Sequence, residues 1–327
     1  MTVARLLLSW YARGHRDLPW RATSDPYRIW ISEIMLQQTR AQAVIPYYER
    51  FLQRFPTVQA MAAAREEDVL AAWAGLGYYS RARNLRRAAR EIAGAGGFPR
   101  DYAAIRALPG IGDYTAAAIA SIAFGLPHAV LDGNVMRVVA RVTADASEIG
   151  SARTRERFRA IAQAWLDTVP QEAGTFNQAL MELGATVCLP RDPLCLVCPL
   201  AAGCEARAAG SANSLPVKLR RQETVEIDET LILARKGETV LLRRRDADAR
   251  HMAGFWDLPS QRDVPVRSAR RIGEFRHTIT HHRFTFTVLS ARARPSGRQF
   301  QWFHPAQFSS IPLATTARKA LKLAGIL

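Results

Sequence analysis

Four cysteines near residue 200 have the spacing that most clearly indicates chemistry. They are the only cysteines of the chain and follow the pattern C-x6-C-x2-C-x5-C: Cys188, Cys195, Cys198 and Cys204. Four thiolates in one short loop can bind zinc or an iron–sulfur cluster. Two disulfides are the alternative, which we rank below metal because the sequence is basic and shows no secretion signal. Since zinc sites usually have two C-x2-C pairs and only one is present, the spacing favours an iron–sulfur cluster.

The stretch LPGIG, followed by a helix rich in small residues, is a candidate anion site. Its contacting residues would be Leu108, Gly110, Ile111 and Gly112. Glycines let backbone N–H groups approach a phosphate, and the N-terminus of the following helix also favours negative charge. The stretch therefore predicts a phosphate-binding helical hairpin, although any helical hairpin can use glycine in this way.

Asp132 in VLDGNVMRVVAR directly precedes a predicted helix that carries Arg137 and Arg141. An aspartate at this position is more often an N-cap than a catalytic group, and on its own we interpret it as a cap. The chain has four lysines, all after residue 217. The first 217 residues therefore have no lysine amine for a Schiff base.

The elements that position these residues change character near residue 210. Residues 1–208 have apolar residues three and four apart, which predicts successive helices. Residues 209–224 are small, polar and basic, which suits an exposed connector. In residues 225–327 the period becomes two: TLILARKGETVLLRR predicts a hairpin turning at Lys236 and Gly237, RFTFTVLSARA another strand, and TTARKALKLAGIL a closing helix. We predict a mainly α N-terminal domain and an α/β C-terminal domain.

Composition is that of a folded, strongly basic protein. The chain has 327 residues, 48% of them hydrophobic, which is enough for two cores. A formal charge of +16 makes a polyanion the expected partner, with nucleic acid ahead of a membrane surface. LLLSWYA is too short to span a bilayer. In the absence of transmembrane and export signals we expect a cytoplasmic prokaryotic protein, and we expect a monomer.

The order LPGIG, LDGNV and the cysteine pattern resembles the helix-hairpin-helix DNA glycosylases related to endonuclease III. The resemblance implies that the hairpin binds DNA backbone, that Asp132 is catalytic, and that the cysteines (loop 188–204) hold a [4Fe–4S] cluster. Bifunctional members carry their Schiff-base lysine at the position of Tyr114. Because tyrosine stands there and no lysine precedes residue 218, we expect a monofunctional enzyme that leaves an abasic site.

Further motifs are similar to one branch, the adenine DNA glycosylases known as MutY: LPWR, SEIMLQQTR, GLGYYSRARNL and FNQALMELGATVC. The resemblance implies that Glu33 is the general acid and that Tyr114 and Asn134 orient the reacting centre. It also implies an adenine pocket lined by Trp20, Arg21 and Glu182. Residues expected to enter the base stack are Leu36, Gln38 and Tyr78. The implied substrate is duplex DNA with adenine opposite 8-oxoguanine or guanine.

Residue type alone leaves several of these roles open. Glu33 lies in the apolar stretch IWISEIMLQQT and is either exposed, as glutamate usually is, or buried. Burial would raise its pKa, so that it keeps a proton near neutral pH. Trp20 is equally compatible with core packing, Arg21 with a surface charge, and Tyr78 with packing.

Residues 225–327 resemble the Nudix-like domain that helps this family read the lesion, through GFWDLPS, FRHTITHH and QWFHPAQF. Non-carboxylate residues occupy the Nudix metal-binding positions, so we expect no hydrolysis there: Ser260, Ser268, Ala269, Ile272 and Gly273. Where the family often has Phe-Ser-His, this chain has Ile279, Thr280 and His281. Thr280 and His281 are predicted to contact the lesion, with an ordinary polar loop as the alternative.

Three other functions compete with this interpretation. A thymine or uracil mismatch glycosylase would share the hairpin, the aspartate and the cluster, but should lack Glu33 and the Nudix-like domain. A non-catalytic iron–sulfur DNA-binding protein would bind duplexes and release no base. A basic scaffold for acidic proteins would explain the charge and leave the ordered motifs unexplained.

Overall fold

The computed structural model describes residues 2–218, 224–246, 249, 252–279 and 281–327. Contacts divide the chain into two compact units. The first contains Met1–Ala62 and Arg87–Arg220, and the second contains Ala63–Arg86 and Arg221–Leu327. The domain boundaries at residues 208 and 225 stay a prediction. Nothing in the sequence indicated that Ala63–Arg86 belongs to the same compact unit as the C-terminal residues.

Helices dominate the chain up to residue 208, which confirms the mainly α prediction. They are α1 (Val3–Arg13), α2 (Pro26–Leu36), α3 (Ala41–Arg54), α4 (Val58–Ala63), α5 (Glu66–Ala72), α6 (Ser80–Gly94), α7 (Tyr102–Ala107), α8 (Asp113–Phe124), α9 (Gly133–Val142), α10 (Ala152–Leu166), α11 (Ala173–Thr186), α12 (Glu205–Ala208) and, near the end of the chain, α13 (Thr315–Leu323). Short 3₁₀ turns include Pro19–Arg21. Of the helices described, none is both long and apolar enough to cross a bilayer.

Helix α8 is at the centre of the first unit and packs against α2, α7 and α11. Its small side chains allow close approach: a Cβ on Gly174 of α11 would lie 2.8 Å from the carbonyl oxygen of Ser121. The buried Asn177 donates to Ser121 Oγ and to the His128 carbonyl, and accepts from Val130 N. The bonds to His128 and Val130 fix the chain just before Asp132, because each pairs a backbone polar group of that segment.

The second unit contains two sheets and α13, as the α/β prediction requires. The strands are β1 (Val225–Leu233), β2 (Arg235–Lys236), β3 (Thr239–Arg244), β4 (Trp256–Asp257), β5 (Val266–Ile279), β6 (His282–Ala293) and β7 (Phe300–Phe303). One sheet has the order β1-β6-β5, with β1 parallel and β5 antiparallel to β6. In the other, β3 pairs with β2, β4 and β7. The predicted strand at β6 and helix at α13 are confirmed.

The predicted hairpin differs in two respects. Lys236 pairs with Thr239, so the turn is formed by Gly237 and Glu238, one residue later than predicted. The long strand β1 pairs with β6 and leaves only the short β2 to pair with β3. Alternation along one segment does not specify its partner strand, and a two-residue loop with glycine first suits a hairpin turn.

The predicted exposed connector is partly packed. Leu215 is buried, and the Val217 carbonyl accepts from Ile149 N at 3.1 Å. The apolar residues in the sequence SLPVK give this segment a face to bury, which composition averaged over residues 209–224 conceals. Residues 219–223 of the connector are outside the described residues.

Candidate active site

A cavity of about 950 Å³ opens in the first unit. It is lined from α2, α8, α11 and the segments preceding α2 and α9. Predicted site residues that line it are Trp20, Arg21, Glu33, Leu36, Gln38, Tyr114, Asp132 and Asn134. Residues far apart in sequence thus meet at one solvent-accessible pocket, which is where a ligand site is expected.

Glu33 is buried on α2, with 4% of its surface exposed. Helix α2 is apolar on most sides and therefore packs in the interior, so Glu33, its one carboxyl group, is buried with the apolar residues around it. The pKa of Glu33 is raised from 4.5 to about 7, chiefly by burial; the Tyr114 hydroxyl and Arg21 oppose the rise, and Asp132 adds to it. Of the two alternatives left by the sequence, the structure selects the buried acid, which is protonated for part of the time near neutral pH.

Tyr114, the second residue of α8, contacts Glu33 directly. Its hydroxyl donates to Glu33 Oε2 at 2.6 Å and lies 3.2 Å from the sulfur of Met181 on α11. Burial, with the nearby carboxylates, raises the pKa of Tyr114 well above its ordinary value. The phenol therefore keeps its hydrogen and acts as a hydrogen-bonding group.

Asp132 is both an N-cap and a cavity residue. Its Oδ1 accepts from Val135 N at 2.7 Å, which caps α9, and its Oδ2 accepts from Asn134 Nδ2 at 2.9 Å. Burial raises the pKa of Asp132, while these hydrogen bonds and the charge of Arg137 oppose the rise. The capping interpretation is confirmed, and because Asp132 also lines the cavity its catalytic role stays a prediction.

A hydrogen-bond network that the sequence did not predict fixes the side chain of Asn134. Its Oδ1 accepts from Arg137 at 2.8 Å, and Arg137 also donates to the carbonyls of Gly184 and Cys188 at 2.6 and 2.7 Å. A Cβ on Gly184 would lie 2.7 Å from Cβ of Asn134. Glycine at this point of α11 therefore allows the close approach of α9 that the network needs.

Glu182 lies directly behind the cavity wall, and its predicted role in the adenine pocket stays a prediction. Of the described residues around the cavity, Arg16, Arg21 and Gln178 line it and Glu182 does not. The Glu182 carboxylate accepts from Arg16 at 2.7 Å and Arg21 at 2.6 Å. Burial would raise its pKa, but hydrogen bonds from the two arginines hold the pKa at about 2. Glu182 thus positions two cavity arginines through a buried, charge-assisted cluster.

Two cavity residues, Arg16 and Gln178, were not singled out from the sequence. Arg16 stands in RGHRD, where nothing distinguishes it from other surface arginines. Gln178 precedes Glu182 by one helical turn, and a period of four along α11 was the available signal. Tyr11 donates to Gln178 Oε1 at 3.2 Å, so the carboxamide has a fixed partner.

The helical hairpin joins α7 to α8 as predicted. Gly110 has a φ of 78°, which favours glycine, and Ile111 N donates to the Leu108 carbonyl at 3.1 Å. Gly112 occupies the N-cap position of α8. The backbone between Leu108 and Gly112 thus turns tightly before the N-terminus of a twelve-residue helix.

Gln38 and Tyr78, the predicted wedges, share an unusual backbone. Their φ values are 59° and 48°, the left-handed region that non-glycine residues seldom occupy. Such conformations concentrate at functional sites, because the surrounding structure must offset their cost. Gln38 is exposed beside the cavity, and Tyr78, in the second unit, is 46% exposed. Tyr79 is buried against Phe255 instead.

The four cysteines form no disulfides and together line one small cavity. Arg141, itself buried, donates to Cys188 Sγ at 3.3 Å and to the Leu189 carbonyl at 2.6 Å. Burial raises the pKa of Cys198 to about 11. No three His, Cys, Asp or Glu side chains in the described ranges are arranged to hold a single metal ion. Four thiols that line one cavity are consistent with an iron–sulfur cluster.

The lesion-recognition loop is described only in part. Thr280 is outside the described residues, and Ile279 is described for its backbone alone. His281 is half-buried, with its ring 4.0 Å from that of His282. The predicted contacts of Thr280 and His281 with a lesion stay a prediction.

Comparison with known proteins defines the class. Residues 31–164 match the HhH-GPD superfamily of base excision DNA repair proteins, and residues 230–323 match the NUDIX domain. A thermostable thymine-DNA glycosylase superposes with a TM-score of 0.55 at 30% identity, over 63% of this chain and 95% of that one. An endonuclease III–DNA complex, at 21% identity and TM-score 0.53 over 63% and 94%, shares the fold. The fold is that of a helix-hairpin-helix base-excision protein with an added Nudix domain.

The relatives of this chain narrow the class further. It is 33% identical to human adenine DNA glycosylase over 97% of its own length and 73% of that protein. It is 45% identical to the adenine DNA glycosylase of Mycolicibacterium smegmatis over 62% of its length and 69% of that protein. The chain belongs to the adenine DNA glycosylase family, which confirms the resemblance read from its motifs.

Proposed function

We propose that this protein is a base-excision-repair enzyme that removes adenine from DNA by hydrolysing its N-glycosidic bond. The observation that carries the proposal is the buried Glu33, with a pKa of about 7, in the same cavity as Asp132. Two carboxyl groups in one cavity suit glycoside hydrolysis, in which one donates a proton and the other stabilises positive charge.

The proposed reaction begins when adenine turns out of the duplex into the cavity, at a cost of a few kcal/mol. Glu33 transfers its proton to the purine ring, N7 by the mechanism of the family, and the base becomes a better leaving group. As the bond breaks, the sugar gains oxocarbenium character, which ionised Asp132 stabilises. Water then adds at the anomeric carbon and leaves an abasic site.

The enzyme is proposed to be monofunctional. A lyase step needs a primary amine that forms a Schiff base with the opened sugar. Residues 1–217 contain arginine but no lysine, and arginine stays protonated, so it cannot act as the nucleophilic amine. The hydroxyl of Tyr114 donates to Glu33, which suits a role in holding the acid.

The proposed substrate is duplex DNA with adenine opposite 8-oxoguanine, or less favourably guanine. The names of the relatives support adenine, and the Nudix match supports a second domain for the opposite base. The hairpin from Leu108 to Gly112 would bind backbone phosphates. Gln38 and Tyr78 would fill the space left by the flipped base, with Thr280 and His281 at the lesion. The protein would act as a monomer.

Single-turnover cleavage of a labelled duplex tests this function. With adenine opposite 8-oxoguanine, strand breaks are expected only after hot alkali, because the abasic product needs an external base for cleavage. Matched duplexes carrying thymine or uracil opposite guanine should stay intact. Breaks without alkali would contradict the monofunctional proposal, and cleavage of the thymine or uracil duplex would favour the mismatch alternative. Intact adenine strands in both lanes would favour the binding protein.

We also propose that the four cysteines hold a [4Fe–4S] cluster. Their donor set fits, since Cys188, Cys195, Cys198 and Cys204 surround one cavity with apolar walls, and each could bind a different iron. When bound, the cluster would crosslink the loop that Arg137 and Arg141 contact.

Metal analysis of protein purified without oxygen tests the cluster. Iron and acid-labile sulfide in equal amounts, near four of each per chain, are expected for a [4Fe–4S] cluster. One zinc ion per chain without sulfide would contradict it. A variant with Cys195 and Cys198 changed to serine should lose iron and sulfide together, because two of the four thiolates are gone.

A further inference from the structure

We infer that Met181 is a positioning residue whose sulfur lets Tyr114 accept a hydrogen bond from protonated Glu33. The inference rests on the proposed role of Glu33 as the acid and extends it to the hydrogen-bond partner of Tyr114. Its basis is the position of one hydroxyl between two different acceptors, in a site where the carboxyl must change protonation state at each turnover.

The geometry places the Tyr114 oxygen 2.6 Å from Glu33 Oε2 and 3.2 Å from Met181 Sδ. A phenol has one hydrogen to donate and lone pairs with which to accept. When Glu33 is ionised, the hydrogen points to the carboxylate, which has nothing to donate in return. When Glu33 is protonated, its own hydrogen can point to the phenol oxygen. The phenol hydrogen must then find another acceptor, and the sulfur is within reach.

The sulfur thus favours the protonated acid. Thioether sulfur is a weak acceptor, but in a buried site an unpaired hydroxyl hydrogen carries a desolvation cost. Among the described residues, the ionisable or charged groups that act on the pKa of Glu33 are the buried Tyr114 on α8, Asp132 before α9 and Arg21 in the 3₁₀ turn. Asp132 also favours the protonated acid, whereas Arg21 favours the ionised one. Met181, although uncharged, also favours the protonated form of Glu33, as Asp132 does.

Glu33, Tyr114 and Met181 together account for the hydrogens that move during turnover. The Glu33 O–H turns from the phenol oxygen to the purine ring nitrogen and passes its proton there, and the carboxylate keeps the electron pair of the O–H bond. The Tyr114 hydrogen then turns from sulfur to the carboxylate and stabilises the new charge. Tyr114 neither gains nor loses a proton, and solvent restores the proton on Glu33 after the base has left.

The test is the pH dependence of single-turnover excision in Met181→Leu, which keeps side-chain volume and removes the sulfur. Excision needs protonated Glu33, so it is present below the pKa of the acid and lost as pH rises through it. Without the sulfur, the midpoint of this loss should move about one pH unit lower, the shift expected for one modest hydrogen bond. The plateau on the acidic side should be kept.

A matched control is available in Met61→Leu. Met61 Sδ lies 3.7 Å from the hydroxyl of Tyr27, so the same atom pair is removed away from the cavity, and the pH profile should not move. In a Tyr114→Phe background, Met181→Leu should cause no further shift. A shift that persists there would overturn the proposal, as would a rate reduced equally at every pH.

A second measurement does not depend on catalysis. Carbon-13 NMR of labelled glutamate carboxyls, assigned by loss of one signal in Glu33→Gln, follows the protonation of Glu33 in the full-length protein. Met181→Leu should lower its midpoint relative to wild type, and an unchanged midpoint would overturn the inference. This titration works even for a protein that excises nothing, so failure of the inference and failure of the proposed function are distinguishable.

Discussion

Replacement of Glu33 by glutamine is expected to abolish adenine excision and to make the folded protein more stable above pH 7. Glutamine keeps the size of the side chain and its hydrogen-bonding capacity, but has no proton to donate to the leaving base. Loss of a general acid typically lowers rates by 10²- to 10⁴-fold. Affinity for the same duplex should be kept, because the change leaves the basic surface intact.

The sign of the stability change follows from the pKa of Glu33. The folded acid has a pKa of about 7, against 4.5 ordinarily, so between these values the folded protein holds a proton that the unfolded chain releases. Stability therefore falls as pH rises from 4.5 to 7. The total is about 3 kcal/mol, since one pKa unit corresponds to 1.36 kcal/mol. Glutamine carries no such penalty, so its advantage appears at pH 8 and vanishes near pH 4.

Melting temperatures of wild type and Glu33→Gln, measured from pH 4 to pH 8 beside single-turnover rates, check both effects. The control is Glu49→Gln, an exposed position on α3 that should change neither quantity. Normal excision by Glu33→Gln would refute the mechanism. A variant less stable than wild type at pH 8 would show that the carboxylate, and not the acid, is the form that the fold prefers.

A buried acid that weakens the fold above neutral pH is typical of a functional site. Structural ion pairs also perturb pKa values, but they do so by lowering those of carboxyl groups, as the arginines do for Glu182. Glu33 has the opposite perturbation and opens onto a cavity. Sites at which local stability is given up in this way are good candidates for catalysis.

Sequence patterns predicted the features that are local. Helix periodicity, the cysteine spacing and the cap position of Asp132 each depend on a few neighbouring residues, and each has its counterpart in the structure. The turn at Gly237 was one residue in error because two-residue loops of different register have similar composition. Local features can thus be predicted without the fold, whereas the register of a strand pair can be assigned only when the partner strand is known.

Burial and pairing between distant residues were beyond the sequence. The burial of Glu33 depends on packing against α8, which lies some 80 positions further along the chain. Its hydrogen-bond partner Tyr114 is on that same distant helix. Arg16 and Glu182 are 166 positions apart, so the sequence around either residue does not predict that they form an ion pair. The close approach at Gly184 is visible only once α9 is in place. These features follow from packing, which periodicity alone does not determine.

The second large effect is expected for Glu182→Gln. The change removes the negative charge that compensates Arg16 and Arg21, whose side chains are 35% and 11% exposed. Loss of one partner from a buried ion pair typically costs 3–5 kcal/mol, because the remaining charge stays buried and unpaired. The melting temperature at pH 7 should fall by roughly 10 °C, and adenine excision should fall with it as the two cavity arginines lose their fixed positions.

The matched control is Glu172→Gln, which breaks an ion pair of the same type and length. Glu172 lies 2.6 Å from Arg5, but the two side chains are 42% and 58% exposed. Solvent-exposed pairs contribute little, so the melting temperature should change by no more than about 2 °C. Equal effects of the two substitutions would contradict the buried-cluster explanation.

The pH dependence of the two buried glutamates should have opposite signs. Glu182 has a pKa of about 2 in the folded protein, so its contribution is complete above 4.5 and is lost as pH falls towards 2. The deficit of Glu182→Gln relative to wild type should therefore shrink below pH 4, whereas the gain of Glu33→Gln grows above pH 5. One series of melting curves on both variants separates the residue that holds the cavity together from the residue that donates the proton. A Glu182→Gln deficit that stayed constant down to pH 3 would mean that lost packing, and not lost charge, is its cause.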